Sequence, residues 1–128
     1  MRAHRVLVVD DDSALRTMLV TILEATGCHA RGATDGADAF EILDRWRPDV
    51  ILLDLLMPEM NGARFLRRRA SVPELSNIPV IVVTTATLRD VPSAEQLGVH
   101  AVVSKPHDVG VLRTLIEQST RGTVASAR

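Results

Sequence analysis

Aromatic side chains are nearly missing from this 128-residue chain: Phe40, Trp46 and Phe65 are all it has, and there is no tyrosine. Sites that stack bases, sugars or flavin rings on aromatic faces are therefore not expected. Cysteine is reduced to Cys28. That excludes an internal disulfide and favours a reducing, cytoplasmic setting. Neither sign of charge dominates, since 15 basic and 16 acidic residues leave a formal net charge of −1. Direct binding to nucleic acid or to an anionic membrane finds no support in that balance. No apolar run is long enough for a membrane span, and Met1 to Val9 leads into acidic residues rather than a signal-peptide pattern. Lysine is almost absent too, with Lys105 alone among the 15 basic residues.

What is present is a core. Apolar residues make up 46% of the chain, enough for one packed domain of this length. Four short runs carry much of it: Val6–Val9, Val50–Leu53, Val80–Val83 and Ala101–Val103. They are short, rich in β-branched residues and not alternating, as strands buried on both faces of a parallel sheet are. His29–Ala33 is a weaker fifth candidate.

Helical patterns fill the gaps. Leu15, Met18, Leu19, Ile22 and Leu23 follow the spacing of an amphipathic helix, with Gly27 as its stop. A second helix is expected from Gly36 to Trp46, with Ala39, Leu43 and Trp46 facing inward and Pro48 ending it. A third starts near Gly62, and a fourth, short or irregular, precedes Gly98. The last runs from Val109 to Ser119, burying Leu112, Leu115 and Ile116. Strand and helix alternate five times, which predicts a doubly wound α/β sandwich with helices on both faces.

The acids fall where such a fold places ligands. Asp10, Asp11 and Asp12 follow the first strand, and Asp54 ends the third. Thr84 closes the fourth strand, and Ser104-Lys105-Pro106 follows the fifth. Open α/β sheets bind ligands beyond the carboxyl ends of their strands. Carboxylates gathered there repel unless a proton or a cation comes between them. Mg²⁺ (or Mn²⁺) suits oxygen ligands of this kind, and a carboxylate is a recognised nucleophile toward phosphorus. A lone lysine in an arginine-rich chain suggests a need for a compact point charge at that strand end.

These residues resemble the receiver domains of two-component response regulators, chemotaxis-regulator-like in size. Val6 to Arg16 is similar to the family's acidic-pair motif, and Asp49 to Gly62 to its phosphoacceptor segment. Thr84 matches the switch threonine, and Lys105-Pro106 the lysine motif. The resemblance covers nearly the whole chain and implies a five-stranded parallel sheet of order 2-1-3-4-5. Residues 1–120 are read as the receiver, and 121–128, small and polar, as a flexible tail. The resemblance assigns Asp54 as phosphoacceptor, assisted by Lys105 and Thr84. Asp10, Asp11, Asp54 and the Leu56 backbone carbonyl become the Mg²⁺ ligands. The implied donor is a sensor histidine kinase or a histidine phosphotransfer protein, and the output is altered contact with a downstream protein. The domain assists its own phosphorylation and dephosphorylation and is not a turnover enzyme. Val102 and His107 stand where the family often has aromatics, and Pro92 interrupts the fourth helical segment. Switching is therefore expected in the segment after Thr85 rather than through Val102.

Other readings fit less well. An aspartyl-nucleophile phosphatase of the haloacid-dehalogenase type would use Asp10 and Asp12, but Ala14 stands where Thr or Val is usual and Asp54 would have no role. A flavin carrier is opposed by the acidity of the first loop. Asp12 is expected to cap the helix behind it. Arg64, Arg67, Arg68 and Arg69 are expected on a solvated helix face. His4, His29, His100 and His107 show no ligand spacing.

Overall fold

The structure, a computed structural model, describes residues 4–54, 62–84, 92–104 and 109–126. Strands β1 (Arg5–Val9), β2 (His29–Ala33), β3 (Val50–Asp54), β4 (Val80–Thr84) and β5 (Ala101–Ser104) alternate with helices α1 (Ser13–Ala25), α2 (Gly36–Leu43), α3 (Gly62–Ala70), α4 (Pro73–Ser76), α5 (Ala94–Leu97) and α6 (Val109–Ser126). The strands form one sheet in the order β2-β1-β3-β4-β5, and every pairing is parallel. The expected class and strand order are both found.

Successive strand residues point to opposite faces, so each central strand feeds two cores. Leu7, Val9, Ile51, Leu53, Val80 and Val82 meet Ala39 and Leu43 of α2, Phe65 and Leu66 of α3, and Leu75 of α4. Val6, Val8, Val50, Leu52, Ile81 and Val83 meet Leu19 and Leu23 of α1 and Leu112 and Ile116 of α6. The central strands β1, β3 and β4 are covered on both sides, which is why they read as unbroken apolar runs, whereas the edge strand β2 is largely exposed.

The helix ends follow local chemistry. Asp12 caps α1, its carboxylate accepting the Leu15 amide at 3.1 Å, and Gly27 takes φ 97° just beyond the helix. Asp35 caps α2 in the same way through the Asp38 amide. α2 stops at Leu43 rather than Trp46, because the Ile42 carbonyl accepts both the Arg45 and the Trp46 amide and tightens the last turn. α4 was not anticipated; Pro73 at its first turn and Glu74 after it were its only signals. α5 is short, as expected, with a Ser93–Gln96 capping box and Gly98 at φ 70°. In α6 the Ser119 hydroxyl donates to the Ile116 carbonyl, and the helical backbone continues past Ser119 to Ser126.

Two burial assignments are corrected, one inward and one outward. Met18 is 46% exposed, and Val20 packs inward instead. The two lie about 100° to either side of Leu19, and α1 is rolled toward Val20. Arg69 is 7% exposed rather than solvated. It lies one turn beyond Phe65 and Leu66 on the same stripe, and the core draws it in. Its guanidinium donates through Nη2 to the carbonyls of Ser76, at 3.1 Å, and Ile78, at 2.6 Å. Burial lowers its pKa from the ordinary arginine value. Arg68 stays exposed, with its guanidinium 4.3 Å over the Phe40 ring.

Neighbouring arginines should therefore differ sharply. Arg69→Ala should cost about 2–4 kcal/mol of unfolding free energy, because it strips the buried Ile78 carbonyl and the half-buried Ser76 carbonyl of their donor. Arg67→Ala should cost less than about 0.5 kcal/mol. Urea titration of both variants checks this; equal losses would contradict the burial of Arg69.

Candidate functional site

The carboxyl ends of β1 and β3 lie side by side, Val9 level with Leu53, so Asp10, just beyond β1, and Asp54, the last residue of β3, stand at the same edge of the sheet. Asp10 is 2% exposed and Asp54 8%, whereas Asp11 faces solvent. One carboxylate oxygen from each of Asp10, Asp11 and Asp54 lies within 4.8 Å of the other two.

Asp10 is held from several sides. Its amide donates to the Ala33 carbonyl of β2 at 3.1 Å. Its carboxylate Oδ1 accepts the Asp12 amide at 2.9 Å. Its carbonyl accepts Nη1 of Arg16 at 2.7 Å. Asp12, the third acid of the run, turns away to cap α1, as expected. Identical side chains are thus sorted by backbone geometry into two cluster members and one cap.

The cluster fits a small hard cation. Oxygen ligands at about 2.1 Å from an octahedral ion are roughly 3–4 Å apart. The three carboxylates need to close by no more than about 2 Å to reach that spacing. All donors are oxygens, two come from nearly buried side chains, and their mutual repulsion favours a cation between them.

Thr84 ends β4 fully buried. Its neighbour Val83 pairs with Asp54, and Thr84 itself pairs with Ser104 of β5, so this hydroxyl belongs to the same edge. Lys105, next after β5, and Leu56, two residues after β3, lie outside the described residues. So do Pro106, His107 and Thr85. The structure brings together Asp10, Asp11 and Asp54 and sets Thr84 on the strand beside Asp54. Arg16, within the acidic motif but given no part by it, proves to be a direct partner of Asp10.

Set against known families, residues 6–117 match the response regulator receiver domain. The chain therefore belongs to that family and is a receiver domain of two-component signalling. It is 36% identical over 117 residues to Protein Rrf1 of Nitratidesulfovibrio vulgaris, covering 90% of this chain and 81% of that one. It is 30% identical to Sporulation initiation phosphotransferase F of Bacillus subtilis, over 92% of this chain and 94% of that one. Among solved structures it resembles the signal receiver domain of a signal transduction histidine kinase from Syntrophus aciditrophicus. That match has a TM-score of 0.83 and 34% identity, covering 94% of this chain and 92% of the other. No helix among the described residues is long and apolar enough to cross a membrane.

Removing one carboxylate should separate metal binding from folding. Asp11→Ala should weaken Mg²⁺ binding by at least about tenfold, since even outer-shell changes at metal sites cost 10–100-fold. It should also raise the metal-free unfolding midpoint by relieving repulsion. Calorimetric titration and thermal unfolding in chelator test the pair. Unchanged Mg²⁺ affinity would rule Asp11 out as a ligand.

Proposed function

We propose that Asp54 accepts a phosphoryl group from a phosphohistidine on a sensor histidine kinase or a histidine phosphotransfer protein, and that the acyl phosphate alters contacts with a downstream protein. The observation that carries this reading is the convergence of Asp10, Asp11 and Asp54 at one sheet edge in a chain of the receiver family.

In the transfer, a carboxylate oxygen of Asp54 bonds to phosphorus as the P–N bond to the donor imidazole breaks. The imidazole keeps the bonding pair and is left neutral once protonated. Hydrolysis later returns the carboxylate and inorganic phosphate. Asp10, Asp11, Asp54 and the Leu56 carbonyl are the proposed ligands of Mg²⁺ (or Mn²⁺). Bound there, the cation supplies charge neutralisation to the phosphoryl oxygens. Lys105 is assigned to pair with a phosphoryl oxygen, as a flexible point charge can. The Thr84 hydroxyl is assigned to donate to another. The working unit is residues 1–120, and it modifies itself rather than turning over a substrate.

The buried position of Thr84 makes it a candidate switch. A hydroxyl drawn toward new phosphoryl oxygens leaves its former place and changes what packs there, which gives the differential contact that a two-state shift requires. Val102, partly buried against the β4 side of the core, is smaller than the aromatics common in the family. The response is therefore assigned to residues 85–98 rather than to Val102.

Incubation with acetyl phosphate and Mg²⁺ should add one phosphoryl group by intact mass, and Asp54→Asn should abolish the gain. An adduct that persists in the variant would move the acceptor elsewhere, and turnover of a generic phosphate ester would favour a phosphatase. With beryllium fluoride as phosphoryl mimic, amide exchange should change more across residues 85–98 than across α1. Unaltered exchange there, with the mimic bound, would remove that segment as the switch.

A further inference from the structure

The contact of Arg16 with Asp10 is directed at the backbone. The Asp10 carbonyl that accepts Nη1 at 2.7 Å belongs to the peptide unit joining Asp10 to Asp11. Rotation of that unit swings the side chain of Asp11. Asp11 is exposed, so the plane of the peptide that joins it to Asp10 has a large part in setting its direction. A charged donor to a carbonyl makes one of the stronger hydrogen bonds available for the purpose.

The route that Arg16 takes to that carbonyl is itself constrained. Its aliphatic stem crosses β2 at Gly32, where an added Cβ would stand 2.9 Å from both Cγ and Cδ of Arg16. Glycine inside a strand weakens it and often marks a close approach by another group. Here the approaching group is the arginine stem. Strand β2 thus holds the acidic loop twice, through the Ala33 carbonyl on the Asp10 amide and through the room that Gly32 leaves for Arg16.

We infer that Arg16 is a positioning residue for the cation site: seated across Gly32, it fixes the Asp10–Asp11 peptide and thereby aims the Asp11 carboxylate toward Asp10 and Asp54. The inference rests on reading the acidic cluster as a Mg²⁺ site. It assigns a function to a residue that touches neither cation nor phosphoryl group, and to a glycine on the neighbouring strand.

The test combines Arg16→Met, which keeps much of the stem and loses the donor, with Gly32→Ala, which keeps the donor and displaces the stem. Three readouts are taken on the full chain: amide exchange at Asp12 without metal, Mg²⁺ affinity by calorimetry, and phosphorylation by acetyl phosphate across a Mg²⁺ series. In Arg16→Met, exchange at Asp12 and the Mg²⁺ dissociation constant should each rise about tenfold, as loss of one charge-assisted hydrogen bond predicts. The rate at saturating Mg²⁺ should stay within about twofold. Gly32→Ala should shift both in the same direction, and the double variant should be no worse than Arg16→Met, because one interaction cannot be lost twice. Unchanged affinity, tighter Mg²⁺ binding or additive losses in the double variant would each overturn the inference. A native chain that binds Mg²⁺ but takes up no phosphoryl group fails the Asp54 proposal alone, and the affinities still decide this one. A native chain that binds no Mg²⁺ overturns the metal reading and this inference with it.

Discussion

Like charges resist being gathered, and Asp10, Asp11 and Asp54 lie within 4.8 Å of one another. The fold is what makes that tolerable. Parallel pairing of β1 with β3 places the two strand ends level, and the core beneath them makes the placement rigid. Hydrogen bonds from the Asp12 amide and the Arg16 guanidinium oppose the negative charge around Asp10. What the cores contribute on either face of the sheet is thus partly held against repulsion at its edge.

The division of labour follows from the alternation of strand side chains. Odd- and even-numbered positions of β1 and β3 serve opposite cores, so a one-residue slip would exchange the two sets and carry the acids out of register. The register that seals the hydrophobic interior is therefore also the register that assembles the site. Thr84 joins it on the same terms, buried at the end of β4.

Much of this was legible in the residues. Unbroken runs such as Val80–Val83 announce a strand covered on both faces, and acids directly after Val9 and Leu53 mark the edge where the carboxylates gather. What escaped was information that helical periodicity does not hold. Spacing around α1 admits either Met18 or Val20 as the third inward residue, and only packing against the sheet decides. The four residues of α4 are too few to show a period. Arg69 reads as surface because it is charged, yet its position one turn beyond Phe65 commits it to the interior. The meeting of Arg16 with Gly32 depends on which strand flanks β1, a fact of topology rather than of local pattern.

The buried Arg69 bears on how this domain could change over evolutionary time. Its guanidinium ties the end of α3 to the carbonyls of Ser76 and Ile78, so the chain between α3 and β4 is measured against a side chain of fixed reach. Added or deleted residues there would strand polar groups away from water. The turn after α1 is different: its own backbone closes it, the amides of Gly27 and Cys28 donating to the carbonyls of Glu24 and Leu23 with Gly27 at φ 97°. The two connections look alike in a linear sequence, but one is gauged by the reach of a side chain and the other by the backbone conformation of a single glycine.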